Sequence, residues 1–100
     1  MAFFTVVKDP DAVLDYGWDW SAEGWLVNDD TISSSTWTAF GLESQTPTTE
    51  LTIGVSSHTD TTTTVWLAHG IVGPYRVVNH ITTEQGREDD RTILVKMKER

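Results

Sequence analysis

Sixteen threonines, ten valines and five isoleucines make nearly a third of this 100-residue chain β-branched. Such side chains lose rotamer freedom in a helix and pack well on a pleated sheet. Alanine and leucine number only five and six. Several segments alternate apolar and polar residues at period 2, and none sustains a helical period.

The clearest strand lies near the C-terminus, within Asp90 to Lys98. Ile93, Val95 and Met97 share a face for burial, and Thr92, Leu94, Lys96 and Lys98 share a mostly wet one. Upstream, Tyr75, Val77, Asn79 and Ile81 alternate with Arg76, Val78, His80 and Thr82. Glu84 to Asp89 reads as the hairpin loop joining the two strands. Thr63, Val65 and Leu67 alternate with Thr64 and Trp66. Leu51, Ile53 and Val55 are expected to point inward. Thr31 to Thr38 reads as a polar strand, and Tyr16, Trp18 and Trp20 line one face of another. Phe3 to Val7 reads either as a first strand or as an extended arm over residues 1–8. Phe40 to Glu50, with Pro47, reads as a long loop.

About seven short strands with turn signals every ten or so residues predict an all-β, immunoglobulin-like antiparallel β-sandwich. A small closed barrel is the alternative. Residues 1–100 are expected to form one domain, since this length leaves no room for a second core.

Composition narrows the function. The sequence has no cysteine, so neither a disulfide framework nor a thiolate metal site is expected. The longest apolar runs are a few residues, so no membrane helix is expected. The N-terminus lacks the basic and long apolar regions of a signal peptide. A net charge of −8 opposes a phosphate backbone, so nucleic acid is not expected as the main partner. Asp9, Asp11, Asp15, Asp19, Asp29 and Asp30 raise the question of calcium, but their spacing departs from a calcium loop. Turn chemistry in Lys8-Asp9-Pro10-Asp11 is the simpler reading. His58, His69 and His80 lack metal-ligand spacing. Ser56, Ser57, His58 and Asp60 carry triad residue types, yet neighbours on one strand point to opposite faces. No catalytic residue, metal or cofactor is therefore expected, and the chain is not expected to be an enzyme.

The aromatic and basic residues point to partners. Five tryptophans are many for a sandwich core of this size. Two or three are expected in the core and at least one at a contact surface, where tryptophan is a frequent hot spot. Trp25, beside Gly24 in an expected turn, is the candidate. Five of the seven Lys and Arg residues fall in the last 14 positions. Arg87, Arg91, Lys96 and Lys98 are therefore candidates for docking onto an acidic subunit, with edge-strand protection as the alternative.

An ordered set of motifs adds a resemblance. Lys8-Asp9-Pro10-Asp11-Ala12-Val13-Leu14-Asp15-Tyr16 is followed by Asp19-Trp20-Ser21, Asp30-Thr31-Ile32 and Ser35-Thr36-Trp37-Thr38. Then come Ser57 to Leu67, Tyr75, Asn79 with Ile81-Thr82-Thr83, Gly86-Arg87 and Asp89 to Ile93. Over residues 7–100 the chain resembles a family of small tailed-phage and prophage virion proteins, the fiber–tail adaptor proteins. Phe40 to Ser56 is an enlarged loop by that pattern. The resemblance implies a non-enzymatic virion subunit, assembled in the host cytoplasm and present in several copies around a symmetric tail. Its partners would be other tail, neck or fibre proteins, with no nucleic acid and no membrane. A capsid decoration (cement) protein and a host-glycan-binding module are the rival readings.

Overall fold

The computed structural model of the chain describes residues 3–21 and 26–99. Its strands are β1 (Phe3–Lys8), β2 (Leu14–Asp19), β3 (Ile32–Gly41), β4 (Leu51–His58), β5 (Thr62–Gly70), β6 (Gly73–Thr83) and β7 (Glu88–Met97). They form a four-stranded sheet ordered β1-β7-β6-β3 and a three-stranded sheet ordered β2-β5-β4. Every pairing is antiparallel except β1 with β7, which is parallel. This is the expected all-β sandwich, with two separate sheets rather than a closed barrel.

Alternation puts the core between the layers. Val65, Leu67, Tyr75, Val77, Ile93, Val95 and Met97 are buried with Ala39 and Leu51 in one cluster. Trp20, Ile32 and Ile81 form a second, near the β6–β7 turn. The register there runs unbroken from Gly73 opposite Met97 to Thr82 opposite Glu88. Thr83 N donates to Arg87 O at 2.8 Å, and Gly86 turns the chain at φ 90°. Only glycine adopts that angle without strain. A second glycine is fixed by space, because a Cβ on Gly17 would stand 2.3 Å from Thr63 O.

Three expectations change. Val55 is 75% exposed rather than inward, because register shifts flank Ile53 on β4. One extra residue between Ile53 and Ser56 flips the faces that follow. Phe40 lies in β3 and not in the loop, and the Arg76 guanidinium sits 4.2 Å above its ring. Strand β7 lies inside its sheet, between β1 and β6, so its lysines do not guard an edge.

Residues 3–8 are a strand rather than a loose arm. Lys8 ends it fully buried, and its ammonium donates to Ala68 O on β5, tying the two sheets together. Burial lowers the Lys8 pKa, and nearby Asp9 and Asp11 offset part of that. Asp9 Oδ1 accepts Asp11 N at 2.8 Å, and Asp9 O accepts Ala12 N at 3.0 Å. The expected turn chemistry operates here.

The molecule is 44 Å long and 24 × 21 Å across. Its strands therefore present two ends. The hairpin end holds the β6–β7 turn, the β4–β5 turn, the end of β2 and the start of β3. The opposite end holds the β5–β6 turn, the start of β2 and the loop after β3.

Candidate docking surface

The five residues expected to bind a partner fall in different settings. Trp25 lies outside the described residues. Arg87 and Arg91 stand at the hairpin end, and both are engaged inside the molecule. Arg87 Nη1 donates to Asp30 Oδ2 at 2.7 Å and to Gln85 Oε1 at 3.0 Å. Asp30 Oδ1 also accepts Gln85 N at 3.0 Å and Thr31 N at 2.9 Å. Burial pushes the Asp30 carboxyl pKa up, but hydrogen bonds from Thr83, Arg87, Gln85 and Thr31 outweigh it and hold the group below its ordinary value. The carboxylate thus fastens the connection before β3 to the β6–β7 turn.

Arg91 is 6% exposed. Its guanidinium lies 4.3 Å from the Trp20 ring centroid and 5.2 Å from that of Trp18. Beneath it runs a buried polar network. Trp20 Nε1 donates to Thr63 Oγ1 and to Asn79 Oδ1, each at 3.1 Å. Thr63 Oγ1 donates to Asn79 Oδ1 at 2.6 Å, and Asn79 Nδ2 donates to Ser35 Oγ at 2.9 Å and Thr36 O at 3.0 Å. Burying these polar atoms is tolerated because they satisfy one another. Arg91 therefore caps a core network and does not offer its charge to the surface.

His80 completes the hairpin end. Its Nδ1 lies 2.6 Å from Asp90 Oδ1 and its Nε2 lies 2.9 Å from Glu88 Oε1. The hydrogen bond to Asp90 raises the His80 pKa most; burial opposes it, and Glu88 adds to the rise. Both ring nitrogens can donate only in the imidazolium, which the two carboxylates favour. An imidazole held on both sides is a fastener between β6 and β7.

The opposite end is different. Val13 is 49% exposed, Leu14 41%, Leu42 42%, Ile71 59% and Val72 57%. Ile71 and Val72 form the β5–β6 turn, and Tyr75 Oη holds it by donating to Ile71 O at 2.6 Å. Lys96 and Lys98 belong to this end. Both are exposed, and neither forms an ion pair among the described residues. They are the two sequence candidates whose charge is available to a partner.

Two features escaped the sequence reading. The exposed tryptophan among the described residues is Trp66, 42% accessible on the outer face of the three-stranded sheet. Alternation with Val65 and Leu67 had already turned it outward. The Ile71-Val72 pair, flanked by Gly70 and Gly73, was also a signal, since apolar residues in a glycine-bracketed turn have no core to enter.

A family model described as podophage GP4 fiber-tail adaptor protein gp77 matches residues 8–96. No curated protein matches the chain.

Proposed function

The chain belongs to the podophage GP4 fiber-tail adaptor protein gp77 family, and on that premise we propose that it joins a fibre or other appendage to the tail or neck of a virion, without chemistry of its own. It acts in several copies around the symmetric tail, after assembly in the host cytoplasm. Its partners are virion proteins, not nucleic acid or membrane.

The observation that carries this reading is the contrast between the two ends of a 44 Å body. The hairpin end engages Arg87, Arg91 and His80 within the molecule. The apolar end leaves five large hydrophobic residues and two lysines open to solvent. A patch of that kind marks a protein contact, and Lys96 and Lys98 suit a partner surface bearing carboxylates. Many such contacts around a ring add through effective concentration. The glycan-binding alternative would call for a row of exposed aromatic rings. Among the described residues Trp66 is the exposed tryptophan, while Trp18 and Trp37 pack against the core.

The immunoglobulin-like reading belongs to the same proposal. β7-β6-β3 and β2-β5-β4 divide the strands as that sandwich does, with β1 moved across to pair with the last strand. A whole-particle density map tests the role. Density for this chain between a fibre and the tail or neck supports it, and density on the capsid faces overturns it.

A further inference from the structure

We propose that β1 is the seam of a two-fold pairing with a second copy of this chain. The sandwich has four sheet edges, and three carry a device against strand pairing. On β3, Thr48 N donates to Ala39 O at 2.8 Å and Pro47 bridges Phe40, so the following loop covers one half of the edge. A register shift between Ile32 and Ser34 disturbs the other half. Strand β4 is broken by shifts on both sides of Ile53. Strand β2 carries exposed Asp15 and Asp19.

Strand β1 has none of these. Its register against β7 runs without interruption from Phe3 to Lys8. Residues 3–7 carry no charge in a chain whose net charge is −8. Lys8, the one residue that could guard this edge, has its ammonium drawn inward to Ala68 O. Among the described residues β1 has a single sheet neighbour, so its outer row of backbone groups awaits a strand.

The residues of β1 also fit themselves. A two-fold axis perpendicular to the sheet, midway between Thr5 and its copy, gives antiparallel pairing and keeps every residue on its own face. It sets Phe3 opposite Val7 and Phe4 opposite Val6, with Thr5 opposite its own copy. Paired threonines are favourable across antiparallel strands, and β-branched residues such as Val6 and Val7 suit a pleated surface. The seam joins two four-stranded sheets into one of eight. It is small, so the affinity is modest in solution and is reinforced where copies are held close together.

The pairing does not depend on the adaptor reading and is tested on the purified chain by sedimentation velocity over a concentration series. Wild type dimerises with rising concentration. Thr5→Lys and Thr5→Glu, each setting like charges opposite one another, weaken the dimer by roughly tenfold or more. An equimolar mixture of the two variants restores it, which a folding defect would not allow. Thr52→Lys, on the bulged β4 edge, leaves it unchanged. A wild-type chain that stays monomeric at its highest soluble concentration overturns the proposal, whatever the variants do. So does a dimer insensitive to Thr5→Lys, equal sensitivity to Thr52→Lys, or failure of the mixture to recover.

Discussion

The hairpin end and the apolar end are built from one pair of sheets, yet they handle exposed side chains in opposite ways. At the hairpin end Arg87, Arg91 and His80 have internal partners: Arg87 has Asp30, Arg91 has the tryptophan rings, and His80 has Asp90 and Glu88. At the apolar end Ile71, Val72, Val13 and Leu14 are open, and Lys96 and Lys98 are unpaired among the described residues. The lesson is that a cluster of basic residues in sequence is not one surface. Four candidates within a dozen positions divide into two that hold the fold and two that are free to meet a partner.

Substitutions at the hairpin end should act on stability, and those at the apolar end on assembly. The largest effect is expected from Trp20→Ala, which empties a fully buried ring site and strands Thr63 and Asn79. Chemical denaturation should show a loss of about 3–5 kcal/mol. A loss under 1 kcal/mol would mean that the network does not support this end. Arg91→Met removes a stacked guanidinium and should cost about 1–2 kcal/mol in the same assay. If Arg91→Met instead left stability unchanged and impaired assembly, Arg91 would belong with the docking residues.

pH sharpens the same contrast. The His80 pKa is raised in the folded chain, so its contribution to stability is full below the unfolded value of about 6.5 and is lost as pH rises through the higher folded value. The Asp30 pKa is lowered, so its contribution is present above the unfolded value of about 3.9 and is lost as pH falls through the folded value. Denaturation midpoints across pH should decline on both sides. His80→Gln should flatten the alkaline limb and Asp30→Asn the acid limb. Because the His80 side chain is 43% exposed, solvent screening keeps its limb shallow. The smallest change in stability is expected from Ile71→Ser with Val72→Ser, within about 0.5 kcal/mol. That variant should fold normally and fail to join particles in a complementation assay.

Much of the sandwich was legible because buried alternation survives in the residues themselves. Val77, Asn79 and Ile81 share the buried face of one sheet with Ile93 and Val95. The β6–β7 register was nearly in reach too, since the turn at Gly86 sets His80 opposite Asp90. Counting the loop to Asp89 rather than to Arg87 hid that pairing. Val55 could not be placed by alternation, because a bulge flips parity without changing composition. The location of Lys8 and Arg91 was also hidden. A cation reads as surface until the carbonyl or ring that receives it is brought close by residues about 60 or 70 positions away.

Hydroxyl-radical footprinting of the free chain and of the intact virion compares the two ends directly. The account predicts that Ile71, Val72 and Leu42 become protected in the particle, while the β6–β7 turn reacts as it does in the free chain. Protection confined to that turn, with Ile71 and Val72 as reactive in the virion as in solution, would contradict it.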